Sequence, residues 1–187
     1  MKRSIISAAV LSAVFMSAGA FAADDTGTLT IKGVVLPVSC TIVSGAAEDN
    51  IVMPDVSQSA LSQIEVGEQL EGFTNSSSSK IKFKCEGKNN PSISFIEDGF
   101  TSQYRDITAK SSGAAEGVGY KVYLQNERAS GGASKAIQPG ESVKLKPTDN
   151  GEYELDFKAY YAKTAKTATT VTAGEVNSVI KLQVSTD

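Results

Sequence analysis

Asp24-Asp25-Thr26-Gly27-Thr28-Leu29-Thr30-Ile31-Lys32-Gly33-Val34-Val35 stands just ahead of the first cysteine, Cys40, and alternates as a strand does. Gly27, Leu29, Ile31, Gly33 and Val35 share one face, with Thr28, Thr30 and Lys32 on the other, because successive side chains of an extended chain point to opposite sides. Such an apolar-edged strand near an N-terminus has two fates. It pairs within its own domain, or it pairs with another molecule.

What precedes this strand reads as a secretory signal peptide over residues 1–22. Lys2 and Arg3 give the positive end, residues 5–16 the apolar run, and Ala20-Phe21-Ala22 a small-x-small cleavage site. The run is too short to span the hydrocarbon core of a bilayer. Cleavage leaves 165 of the 187 residues, enough for one domain with its own core. The expected division is a signal peptide at 1–22, an N-terminal extension at 23–38 and a folded domain at 39–187.

Cys40 and Cys85 both fall in the exported part. An even count in an oxidising compartment predicts a disulfide, which by chain entropy is worth about 4 kcal/mol for a loop of this length. With no histidine in the chain, two thiols are too few for a structural zinc site. A net charge of −3 with scattered lysines argues against nucleic acid as a partner.

The remaining pattern is all strand. Lys80-Ile81-Lys82-Phe83-Lys84-Cys85, Ser92-Ile93-Ser94-Phe95-Ile96 and Val118-Gly119-Tyr120-Lys121-Val122-Tyr123-Leu124 each alternate. Val143-Lys144-Leu145-Lys146 and the run from Glu152 to Tyr160 flank Asp149-Asn150-Gly151, which predicts a hairpin. The last strand covers 176–184. Polar loops are expected at 75–79, 129–133 and 162–170, and no helix is expected. Short strands between Gly/Ser/Asn turns predict an all-β antiparallel sandwich.

Catalysis finds little support. Without histidine the Ser/His/Asp and Cys/His arrangements are impossible. The acidic pairs Asp24-Asp25 and Glu97-Asp98 sit at a terminus and a turn, and the glycine-rich stretches lack a phosphate-loop context. No enzyme, cofactor or metal is expected.

The C-terminus carries the second unusual pattern. After Gly174-Glu175-Val176, the residues Ile180, Leu182, Val184 and Thr186 alternate with Lys181, Gln183 and Ser185 up to Asp187. A sandwich whose last strand has no successor exposes an apolar edge or receives a strand from elsewhere.

Here the chain resembles the major-subunit family of chaperone–usher fimbriae of the type 1 pilus kind. The residues that carry the resemblance are Gly27-Thr28-Leu29-Thr30-Ile31-Lys32-Gly33-Val34-Val35 with Cys40, then Val118-Gly119-Tyr120 with Val122 and Leu124. Phe157-Lys158-Ala159-Tyr160-Tyr161 and Val171-Thr172-Ala173-Gly174-Glu175-Val176 complete it. Gly174 falls where the family keeps a glycine. The family often has tyrosine next to last, and this chain departs from it with Thr186.

The resemblance implies an incomplete immunoglobulin-like sandwich lacking its C-terminal strand, completed by a donor strand from another subunit. A periplasmic chaperone lends a strand first, and the extension of the next subunit replaces it at an outer-membrane usher. Partners are then neighbouring pilin subunits, the chaperone and the usher, and the product is a fimbrium on the cell surface that supports adhesion. Gly27, Leu29, Ile31, Gly33 and Val35 become the donor face. Gly174, Val176, Ile180, Leu182 and Val184 become the acceptor groove or chaperone contact, and the groove is bordered by the first strand after the donor and by the last strand. Cys40–Cys85 ties the first strand to the second. Each inserted aliphatic side chain contributes about 1.5–3 kcal/mol, against the ordering cost of an extended tail. Gly33 is expected to mark a shallow place in the recipient groove.

Two other readings compete. One is a minor tip or adaptor subunit with its own glycan-binding surface, for which Tyr104, Tyr120 and Tyr123 are the aromatic candidates, sheet or core packing being the commoner use of such residues. The other is a free-standing protein whose N-terminal strand fills its own groove. The short connection from Val35 to Cys40 argues against turning that strand back, and leaves insertion in the opposite direction open.

Overall fold

The computed structural model describes residues 27–35, 40–44, 49–75, 79–87, 90–125, 136–165 and 170–186. The signal peptide, Asp24, Asp25, Asp187, the loop at 129–133 and the centres of the loops at 75–79 and 162–170 lie outside these residues. The described strands are β1 (Gly27–Val35), β2 (Cys40–Ser44), β3 (Asp49–Met53), β4 (Gln69–Thr74), β5 (Ser79–Cys85) and β6 (Ser92–Phe95). They continue with β7 (Lys110–Ser112), β8 (Val118–Leu124), β9 (Ser142–Lys144), β10 (Tyr153–Lys163) and β11 (Val176–Ser185).

Two sheets face each other. One runs β3-β1-β11-β6-β9 with β7 also on β11, and the other β2-β5-β10-β4 with β8 on β10. Period-two patterning decides what lies between them. Tyr153, Leu155, Phe157, Ala159 and Tyr161 of β10 are buried, while Glu154, Asp156, Lys158 and Tyr160 face outward. Phe95 of the first sheet meets Phe157 of the second edge to face at 6.4 Å, a favoured aromatic geometry. The disulfide joins Cys40 to Cys85, directly opposite each other in the β2–β5 ladder.

Two expectations need correction. Asp149-Asn150-Gly151 forms a turn, with Gly151 at φ 73°, but not a hairpin. β9 pairs with β6 in one sheet, and β10 with β5 in the other. Alternation fits either sheet, so the local pattern did not choose the partner. There is also a short helix, α1 (Gln58–Gln63), which buries only Leu61. Ser57 Oγ caps it, accepting from the Ala60 N–H at 3.2 Å. Six residues are too few to show a helical period in sequence.

Candidate functional site: a strand groove

β1 lies inside the first sheet, between β3 and β11. Residues Gly27 to Ile31 pair antiparallel with Met53 to Asp49. On the other side β1 runs parallel to β11, with Gly27 beside Val176, Leu29 beside Ser178 and Ile31 beside Ile180. Leu29, Ile31, Ile51 and Ile180 are 0% exposed and Met53 1%. Without β1, the facing edges of β3 and β11 would lose their hydrogen-bond partners and the core its cover.

In this chain the groove holds its own N-terminal strand, running parallel to β11, the direction that the short connection left open. The four residues from 36 to 39 can bridge roughly 18 Å, more than the ~10 Å between packed sheets. The groove's far wall is also β3, not β2, the first strand after β1; β2 belongs to the other sheet.

The fit is not uniform along β1. Ile31 aligns with Ile180 and Val34 with Leu182, so three steps on β1 match two on β11. Among the described residues, pairing with β3 covers Gly27 to Ile31. Of the expected donor face, Gly27, Leu29 and Ile31 stand in the doubly paired part, whereas Gly33 lies in the slip and Val35 beyond it, beside Gln183.

The expected groove residues Val176, Ile180, Leu182 and Val184 form the buried row of β11, and the row also holds Ser178. Sequence reading passed over Ser178, and Ile51 and Met53 of the other wall; the alternation Ile51-Val52-Met53 was the signal for the latter. A hydroxyl in such a row needs a partner, and Thr108 Oγ1 donates to Ser178 Oγ at 2.9 Å. Thr108 Oγ1 in turn accepts from the Tyr120 N–H at 2.9 Å. The Tyr120 hydroxyl donates to the Val176 carbonyl at 2.8 Å, and burial pushes the Tyr120 phenol far above its ordinary value. These bonds clamp the start of β11 to β8 across the core.

Gly174 sits just before that clamp at φ 139°, where a Cβ would come within 2.8 Å of the Ala115 nitrogen. Backbone passes too close there for any side chain, and the Ala115 N–H donates to the Glu175 carbonyl at 3.0 Å. Below this crossing lies a cavity of about 160 Å³, lined by Val56, Leu61, Val118, Tyr161, Val171 and Val176 among others. Val176 lines this cavity and also partners Gly27 of β1.

The three tyrosines named as glycan candidates differ in setting. Tyr120 is fully buried. Tyr104 packs on Gly67, its Cε1 3.1 Å from where a Cβ would stand. Tyr123 is half-buried on the outer sheet face, with its hydroxyl donating to Gln69 Oε1 at 2.5 Å and its ring 5.7 Å from that of Tyr160.

A two-sheet sandwich with a strand-shaped slot beside its last strand defines the pilin class of immunoglobulin-like fold. The chain belongs to the fimbrial protein family, whose model matches residues 29–186. It is 34% identical over 192 residues to an uncharacterized fimbrial-like protein, YehD, of Escherichia coli strain K12, covering 100% of both chains. The laminin-binding fimbrial subunit ElfA of Escherichia coli O157:H7 is 27% identical over 193 residues, covering 99% of each. The fold matches that of the P pilus rod subunit PapA with a TM-score of 0.56 at 19% identity, over 80% of this chain and 100% of that one. A subunit of a chaperone–usher pilus gives 0.57 at 17% identity, over 84% and 93%.

Proposed function

We propose that this chain is a structural fimbrial subunit that polymerises by lending Gly27–Val35 to the β3–β11 groove of a neighbouring subunit. The observation that carries the reading is the slot itself. The N-terminal strand completes the middle of a sheet, and it meets the walls through main-chain bonds, the apolar row Leu29 and Ile31, and a hydrogen bond from Thr30 Oγ1 to Asn50 Oδ1. A second copy presenting the same strand offers the same bonds and the same row. Gly33 and Val35 extend that row in a strand that keeps its alternation.

In this reading, a periplasmic chaperone holds the groove open for delivery to an outer-membrane usher, and the finished fibre supports adhesion at the cell surface. ElfA, a relative named for binding laminin, supports the adhesive role. A shaft role is favoured over a glycan-binding tip because Tyr120 is core and Tyr104 packs on Gly67.

The test is an assembly experiment with chains made alongside the chaperone. The chain beginning at residue 39 should accept a peptide of residues 23–38, yet cap growth rather than extend it, while the full mature chain forms SDS-resistant ladders. Normal ladders from the truncated chain would sink the donor assignment.

A further inference from the structure

We propose that Asn150 is a site of self-modification, converting with age to aspartate and isoaspartate through attack by the Gly151 main-chain nitrogen. Asp149-Asn150-Gly151 is a turn without a hairpin, carrying the chain from β9 in one sheet toward β10 in the other, and the strand groove makes no use of it. Asn150 and Gly151 are both exposed, and the Asn150 side chain makes no hydrogen bond among the described residues. The other described asparagines are held or blocked. Asn50 Oδ1 accepts from Thr30 Oγ1 at 3.0 Å. Asn75 donates to the Phe157 carbonyl and accepts from the Ala159 N–H, and Asn177 Nδ2 donates to Ser112 Oγ and Glu175 Oε1. Asn90 precedes Pro91, which has no main-chain N–H to attack with. None of these is followed by glycine.

The step is an intramolecular acyl transfer. The Gly151 nitrogen gives its proton to water and bonds to Asn150 Cγ; the Cγ–Nδ2 bond breaks, ammonia leaves, and a cyclic imide closes. Water then opens the ring at either carbonyl, giving aspartate or, with the main chain rerouted through the side chain, isoaspartate. Overall water replaces ammonia, and nothing is oxidised or reduced. Glycine lacks the Cβ that would obstruct the approach, and an exposed turn opens locally at small cost. The Gly151 N–H donates to the Thr148 carbonyl at 2.9 Å, so the turn must open for each attack, and the folded chain reacts more slowly than the unfolded one. Isoaspartate adds a main-chain atom between Thr148 and Glu152, whose two hydrogen bonds close the turn. Either product adds a negative charge between Asp149 and Glu152. The crossing between the sheets thus changes with the age of the molecule.

The experiment ages the purified mature chain, residues 23–187, in mildly alkaline buffer, with and without urea. Peptide masses and isoaspartyl methyltransferase labelling then read each asparagine. Conversion should accumulate at Asn150 ahead of Asn50, Asn75, Asn90 and Asn177, and should run faster in urea. Asn150→Gln should lose the acidic variant that forms with time. In urea, where the turn is gone from both chains, Gly151→Ala should slow conversion severalfold. Conversion in the folded chain no faster at Asn150 than at the other asparagines would overturn the proposal, as would a rate in urea that Gly151→Ala leaves unchanged. None of these readouts depends on strand donation.

Discussion

From Gly27 to Ile31, β1 has a partner on each side, β3 and β11. At Val34 and Val35 it pairs with β11 after a slip in register. The face Leu29, Ile31, Gly33 and Val35 runs through both halves in sequence, so that face alone does not mark the difference. The front half seals the core with two side chains that water does not reach. The back half pairs with β11 one residue out of step with the front.

The largest effect should come from breaking the front half. Ile31→Ala removes buried methylenes beside Ile180 and should cost about 2–5 kcal/mol in urea unfolding. Val35→Ala, past the slip and beside Gln183, should cost less, roughly 1 kcal/mol. Equal losses at the two positions would erase the distinction between the halves.

A smaller effect should follow from loosening the clamp beside the front half. Tyr120→Phe leaves the Val176 carbonyl without its buried hydroxyl donor and should cost about 1–3 kcal/mol. Because Val176 partners Gly27, hydrogen exchange should rise first at residues 27–31. Faster exchange only beyond the slip would show that the clamp serves the other half.

How much of this was legible in sequence depended on the range of the interaction involved. Alternation placed β1, β5, β8, β10 and β11 and most of the buried row of β11, since it is a local property. The disulfide followed from two cysteines in an exported chain. Alternation is silent about partners, however, so β9 was joined to β10 when it pairs with β6. It also cannot show a slip, because Lys32-Gly33 looks regular until β11 is laid beside it. Ser178 was passed over because a serine in an apolar row gains meaning only once Thr108, 70 residues away, is seen to bond it. Occupation of the groove by the chain's own β1 stayed open in sequence, because reach spoke only against a strand that turns back.

The smallest effect is a control on the far sheet, where neither half of β1 should respond. Lys80 Nζ lies 2.8 Å from Glu154 Oε1 and Lys82 Nζ 3.3 Å from Glu154 Oε2, across the β5–β10 ladder. The hydrogen bond from Lys80 holds the Glu154 carboxyl below its ordinary 4.5, so the pair's contribution is complete above that value and fades as pH falls through the lowered one. Asp156, raised above 3.8 chiefly by burial, works the other way. Acidification relieves its penalty from the raised value down to 3.8, which mutes the combined slope. With Lys80 45% exposed, Glu154→Gln should cost under about 1 kcal/mol at neutral pH. The cost should vanish once Glu154 is protonated. Peptide displacement of β1 should keep its wild-type rate throughout. A changed rate would mean that the two sheets are coupled through the core, and that the contrast within β1 is set partly by its surroundings rather than by its register alone.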